Sequence, residues 1–265
     1  MSSDRFLDEK WVKKLDRQLQ DDIDRVGVDQ KTLVEVFDKY TLNILGKLIS
    51  DRVIDILDFP ISTGKEGIVF RGVTPGKKFV ALKIYRISNA TFKHIYDYIA
   101  GDPRFRSVHK TRKDIVFAWT KKEFKNLERL KKIGVTAPKP ITSINNVLVM
   151  EYIGDARRPA PLMRDVVLDN PKDVFETLID FVSKMYKKAE LVHSDLSAFN
   201  VLIYRKRPYL IDLGQAVVLE HPLSHEFLRR DVHNMVQFFR RYDIQGDETE
   251  IYENIVKNRD ADEVS

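Results

Sequence analysis

Two short strings late in the chain constrain it more than any other feature. In HSDLSAFN, at 193–200, Asp195 and Asn200 stand five residues apart. Twelve residues after Asn200, Asp212 follows Tyr209-Leu210-Ile211 and precedes Leu213-Gly214. Apolar and β-branched residues flank both strings, in LVHSDLSAFNVLIY and RPYLIDLGQAVVL. Each therefore reads as a loop held between short strands. A carboxylate at the end of a buried strand is costly unless a cation faces it. A cap or turn role for the aspartates, with His193 as a core hydrogen bonder, would explain either string alone. It does not easily explain both, in order, after the lysine described next.

Upstream, ISTGKEGIVFRGV and KKFVALKIYRI read as two antiparallel strands joined by a turn at Thr74-Pro75-Gly76. Lys83 lies in the second, nineteen residues after Gly64. A helix is expected after Thr41 as N-cap, with Leu42, Leu45, Ile49, Val53 and Ile56 at helical spacing, stopping before Pro60. A second is expected over 121–133, with Phe124, Leu127, Leu130 and Ile133 on one face. In it, Glu123 is preferred to Glu128 as a partner for Lys83, because that apolar face surrounds it. VLVMEYI at 147–153 suits a buried strand. Asn170-Pro171 opens a helix burying Val174, Leu178, Phe181 and Met185. A last helix runs from Ser224 to Arg241, with Phe227, Leu228, Val232, Met235 and Phe239 inward. Strands come mainly before 153 and helices after it. The expected class is α+β in two lobes, with an N-terminal extension over 1–40, a β-rich lobe over 41–153, and a helical lobe over 154–265 joined through 151–156.

Charge is concentrated in one place. The chain of 265 residues carries a net charge of +5, yet residues 86–122 hold nine Lys/Arg against three Asp/Glu, a local +6. Phe92, Tyr96, Tyr98 and Phe105 interleave with that basic stretch. It suits phosphate oxygens of RNA or of a nucleotide, and equally a solvated loop. The absence of cysteine excludes disulfides, thiolate metal sites and cysteine nucleophiles, and fits a reducing cytoplasm. With a charged fraction of 32%, it also hints at a hot-living source. The N-terminus lacks the apolar run of a signal peptide, and no apolar stretch reaches the ~18 residues of a membrane span.

These residues supply the parts that phosphoryl transfer needs: amides over phosphates, a lysine on their oxygens, metal-binding oxygens, and an aspartate to orient the attacking hydroxyl. STGKEGIVF at 62–70 is similar to the glycine-rich kinase loop, with Ser62 where its first glycine usually sits, although a plain β-turn explains it as well. VALK ending at Lys83 matches V-A-I-K. HSDLSAFN matches H-R-D-L-x-x-x-N, so Asp195 would accept the hydroxyl proton and Asn200 would offer an amide oxygen to a metal. Asp212 stands where the D-F-G metal ligand belongs. The usual activation segment ending in A-P-E is missing, since only about a dozen residues separate Asp212 from the last helix at Ser224. Ser197 stands where many Ser/Thr kinases have lysine. These absences put conventional peptide phosphorylation in doubt.

Together the features resemble one family, the RIO atypical serine/threonine protein kinases, and within it the Rio-one branch of archaeal type. The resemblance runs from about 40 to 245. It is carried by STGKEGIVF, ALKIYR, WTKKEFKNLERL, HSDLSAFNVLI, LIDLGQAV and HPLSHEFLRRDVHNMVQFFRR. It implies a small two-lobed kinase fold without the activation segment and peptide platform, using ATP with Mg²⁺ or Mn²⁺. It implies a cytoplasmic protein that autophosphorylates; Ser107, between Arg106 and His109-Lys110, is a candidate site, and oligomeric state stays open with a monomer favoured. It also implies action on the maturing small ribosomal subunit, with the basic insertion reaching rRNA and ATP hydrolysis as a possible output. Ser62, Thr63, Gly64, Lys65, Glu66, Gly67 and Val69 would cover the nucleotide. Lys83 would hold its phosphates and Glu123 would pair with Lys83. Glu151 and Ile153 would meet adenine, and Met150 would guard the pocket. Asn200 and Asp212 would bind metal, and Asp212 could accept phosphate as an aspartyl-phosphate. Two other readings stay open: a small-molecule phosphotransferase of the aminoglycoside or choline type, and a catalytically idle, nucleotide-dependent rRNA-binding module.

Overall fold

The computed structural model describes residues 37–257, apart from 65, 88–94, 96–97, 100 and 106–110. Lys65, Phe92, Tyr96 and Ser107, and residues 1–36 of the expected extension, lie outside it.

Alternation in the first strands places the site. β1 (Ile56–Thr63), β2 (Gly67–Val73), β3 (Phe79–Tyr85), β4 (Pro140–Ile144) and β5 (Val147–Glu151) form one antiparallel sheet in the order β1-β2-β3-β5-β4. Side chains alternate between the faces of a strand. Val80, Leu82 and Ile84 of β3, with Val147 and Val149 of β5, form one core with Ile44, Leu45 and Leu48 of α1 (Lys39–Ser50). Ala81, Lys83 and Tyr85 turn to the other face. There α2 (Arg112–Lys132) and the main core lie, with Leu127, Leu130, Leu148 and Met150 packed together. The period of two thus sends Lys83 toward the helix carrying Glu123.

Two helix boundaries differ from expectation. α1 ends at Ser50, and Arg52 turns the chain at φ 57°. Ile56 sits in β1 and is half-exposed, so its helical spacing from Val53 was coincidental. Asp38, not Thr41, is the N-cap: its carboxylate accepts the Thr41 amide at 2.7 Å. Thr41 is buried and accepts the Asn146 amide at 3.0 Å. α2 begins at Arg112 rather than 121, capped by Thr111. Its buried face carries the polar Thr120, Lys122, Glu123 and Asn126 beside Ile115, Val116 and Trp119, so hydropathy alone does not mark that face.

The helical half follows the expected pattern closely. α3 (Pro171–Ala189) buries Val174, Leu178, Phe181 and Met185, with Asn170 as cap and Pro171 at the first position. α4 (Ser224–Phe239) buries Phe227, Leu228, Val232, Met235 and Phe239, and packs against α3 and α5 (Glu248–Lys257). The two loop strings lie between short strands, β6 (Leu191–Val192) pairing with β9 (Val217–Val218), and β7 (Val201–Tyr204) pairing with β8 (Arg207–Leu210). No helix among the described residues is long and apolar enough to cross a membrane.

Of the aromatics interleaved with the basic stretch, the two described are core residues. Tyr98 packs against Trp119 and Phe227, and Phe105 is buried. Neither is displayed for a base to stack on.

Candidate active site

A cleft of about 370 Å³ separates the sheet from the helical half. β1 and β2 roof it with Ser62, Gly64, Glu66, Gly67 and Val69; Lys83 and Glu123 stand at its back; Met150, Glu151 and Ile153 line the connector side; Asn200 and Asp212 form its floor. Neither Thr63, at the end of β1, nor Asp195 lines it, but Asp195 is hydrogen-bonded to Asn200, which does. The apolar Ile61, Ala160, Leu202 and Ile211 also line it. The sequence reading missed these four, because nothing distinguishes such residues from core before the cleft is known. A larger groove of about 800 Å³ lies between the start of α3 and the β7–β8 turn, and contains none of the site residues selected from sequence.

Lys83 is the centre of the cleft. Its ammonium donates to Glu123 Oε1 at 3.0 Å and to Asp212 Oδ1 at 2.9 Å. Burial works to lower its pKa, but the Asp212 and Glu123 carboxylates outweigh this and hold it above the ordinary lysine value. Burial pushes Glu123 up to about 7, against the pull of Lys83. Asp212 is held below its ordinary value: burial opposes this, and the Lys83 ammonium overrides it. The cation that the sequence required at Asp212 is therefore Lys83. The Tyr85 hydroxyl donates to Glu123 Oε2, a contact the sequence reading did not foresee. Spacing could have suggested it, since Tyr85 shares the face of β3 with Lys83 two residues before it.

The glycine nearest the sheet has a structural duty. A Cβ on Gly67 would collide with the carbonyl of Ile84, so the two strands could not approach as they do. At Gly64 a Cβ would make only ordinary contact.

The loop strings are held by buried side chains. Asn200 donates its amide to the backbone carbonyl of Asp195 at 2.8 Å and to Asp195 Oδ2 at 2.9 Å. The Ile211 amide donates to the Asn200 carbonyl at 3.0 Å, which sets the two strings side by side. Ser194 and Asp212 both adopt left-handed backbone, at φ 68° and 61°. Such conformations cost about 1–3 kcal/mol and persist where the surroundings dictate them. One such surrounding group is Asp231 of α4, fully buried, which accepts the amides of Ser194 and Leu196, both at 2.8 Å. Burial pushes its carboxyl up to about 7. The sequence signal was an aspartate among the inward residues of an amphipathic helix, between Leu228 and Val232. His193 Nε2 lies 3.1 Å from the Ile211 carbonyl, which can only accept, so this nitrogen carries the proton. Burial holds the imidazole down to about 4, and it is neutral near pH 7.

The donor set suits a hard divalent cation held jointly with a substrate. Asn200 uses its N–H groups on Asp195, which leaves its carbonyl oxygen to accept or ligate. Asp212 adds carboxylate oxygens. Among the described residues no group of three His, Cys, Asp or Glu could hold a metal alone. Magnesium bound through one or two protein oxygens, with phosphates and water completing its shell, needs no such group.

A β-rich half, a helical half and a lysine bridging two carboxylates in the cleft define a protein-kinase-like fold. A family model, the RIO domain, matches residues 68–252. A RIO-type serine/threonine-protein kinase Rio1 of Haloferax volcanii is 41% identical over 241 residues, covering 91% of this chain and 81% of that protein. A RIO-type serine/threonine-protein kinase Rio1 of Thermoplasma acidophilum is 45% identical over 190 residues, covering 72% of this chain and 100% of that protein. The solved Rio2 kinase–ADP/Mg²⁺–phosphoaspartate complex of Chaetomium thermophilum aligns with TM-score 0.60 at 21% identity, over 79% of this chain and 64% of that one. The chain belongs to the RIO family, on its Rio1 branch, and is a phosphotransferase.

Proposed function

We propose that the protein is an ATP-dependent RIO-type kinase that works in the cleft around Lys83. The observation that carries this reading is the Lys83 ammonium bridging Glu123 and Asp212 beside the Asp195–Asn200 pair. Lys83 would hold phosphate oxygens, with Glu123 fixing its direction. Glu151 and Ile153 would meet adenine, Met150 would back it, and the strip from Ser62 to Val69 would cover the phosphates. Asn200 and Asp212 would hold Mg²⁺ or Mn²⁺, which when bound neutralises phosphate charge. Asp195 would orient a serine or threonine hydroxyl and take its proton.

One observation favours hydrolysis, or an acceptor within the protein itself, as part of the output. Between Asp212 and α4 the chain forms only β9 and short turns, which leaves no length there for a peptide-positioning segment. Asp212 as phosphate acceptor, autophosphorylation at Ser107 and action on the small ribosomal subunit through the basic insertion belong to the same reading. The support for them is family membership.

The test follows both phosphate released and phosphate transferred from labelled ATP. Asp195→Ala is expected to slow transfer by about 10²–10⁴-fold, and Lys83→Ala to weaken nucleotide use. Wild-type rates in both variants would refute the assignment. Rapid labelling of an aminoglycoside or a choline-like alcohol would favour the small-molecule alternative.

A further inference from the structure

Helix α2 does more than carry Glu123. Lys122 and Asn126, beside it, are both fully buried, yet neither faces the cleft. Lys122 Nζ donates to the carbonyls of Gly214 and Ala216, each at 2.6 Å. Asn126 Nδ2 donates to the carbonyls of Leu213 and Ala216, at 2.8 and 3.2 Å. Three carbonyls just after Asp212 are thus tied to one helix.

The orientation of the Asn126 amide is itself fixed. Its Oδ1 accepts Arg104 Nη1 at 3.0 Å, so its N–H groups must face the carbonyls. Arg104 is in turn held by the buried Asp102, Nε to Oδ1 at 2.9 Å and Nη2 to Oδ2 at 2.6 Å. Asp102 and Arg104 belong to the basic insertion. Trp119 closes the arrangement from the same helix: a Cβ on Gly214 would come within 2.9 Å of its ring. A buried ammonium is expensive, and here burial lowers the Lys122 pKa to about 7. An apolar residue would pack at less cost, but could not hold carbonyls.

We propose that Lys122, Asn126 and Arg104 are positioning residues for Asp212, fixing the backbone after it to the helix that bears Glu123. The carboxylates on either side of Lys83 are then set by one rigid body. An ordinary kinase sets them through a mobile helix and an activation segment. Arg104 makes the 102–105 stretch of the insertion part of that body. The proposal rests on Asp212 being a metal ligand.

The test uses the full chain and measures Mn²⁺ binding by electron paramagnetic resonance with a non-hydrolysable ATP analogue. Nucleotide affinity without metal, kcat, KM for ATP and thermal unfolding are measured alongside. Asn126→Asp keeps the shape and the Arg104 contact but turns a donor into an acceptor against two carbonyls. It and Lys122→Met are expected to weaken Mn²⁺ binding and lower kcat by about tenfold or more, as outer partners of metal ligands do. Metal-free nucleotide affinity should hold within about twofold, and excess Mn²⁺ should restore part of kcat. If Lys122→Met fails to fold, Arg104→Gln tests the same link from its outer end, with thermal unfolding reporting the cost of leaving the buried Asp102 without its guanidinium. Asp212→Asn is the reference. If it loses Mn²⁺ while folded Asn126→Asp and Arg104→Gln bind Mn²⁺ and turn over as wild type, the positioning role is overturned. If Asp212→Asn also binds Mn²⁺ normally, the metal reading of Asp212 falls, and the proposal with it.

Discussion

The two halves of the site are built differently. Lys83 and Glu123 stand on a strand and a helix, where backbone hydrogen bonds fix the main chain and period alone decides which way a side chain faces. Asp195, Asn200 and Asp212 stand on loops, where two residues adopt left-handed backbone and buried side chains satisfy the main chain: Asp231 for the first loop, Lys122 and Asn126 for the second. The first half borrows its rigidity from regular structure. The second half depends on a few polar contacts in the core, and each is costly to lose because the group left behind is buried.

That contrast can be broken at three points. The largest effect is expected at Asp231→Ala. It leaves the Ser194 and Leu196 amides unpaired in the core, at about 1–3 kcal/mol each. Urea unfolding should therefore show a loss of about 2–6 kcal/mol. A variant as stable as wild type would mean that the loop does not rely on the helix beneath it.

Next comes His193. Its folded pKa is near 4, against about 6.5 unfolded. Between those values the unfolded chain binds more protons, so stability is full above about pH 6.5 and declines as pH falls toward 4. The contribution of this one group reaches about 3 kcal/mol at most. His193→Asn should lose correspondingly less between neutral pH and about pH 4.5 in urea unfolding. An unchanged pH profile would remove the buried neutral imidazole from the account.

The smallest effect is expected far from the loops. Asp38→Ala removes the cap of α1 and should cost about 1 kcal/mol, without altering phosphate transfer. A drop in transfer there would show that the α1 side of the sheet communicates with the cleft after all.

Legibility in the sequence followed the same division. The alternation of β3, the motif spacing around Asp195 and Asp212, and the apolar faces of α3 and α4 could all be read, because period and spacing are local properties. The choice of Glu123 over Glu128 matches the Lys83 contact found. The early start of α2 was not legible, since its buried face mixes Ile115, Val116 and Trp119 with the polar Thr120, Lys122, Glu123 and Asn126, and so shows no clean apolar stripe. Asp231, Lys122 and Asn126 were missed for a related reason: each satisfies a backbone group 35 to 94 residues away, and no window of sequence displays that partnership. Tyr98 and Phe105 misled in the opposite sense. Their basic neighbours suggested a displayed surface, and the structure buries both rings.

The central claim is that the cleft around Lys83 receives the triphosphate of ATP. It is tested most directly by a crystal structure with a non-hydrolysable ATP analogue and Mn²⁺. The account predicts phosphate oxygens on the Lys83 ammonium, adenine against Glu151 and Ile153, and the metal between Asn200 and Asp212, with the γ-phosphate facing Asp195 or Asp212. Nucleotide bound elsewhere, such as in the groove beside Arg205 and Lys206, with Lys83 still bridging its two carboxylates, would contradict it.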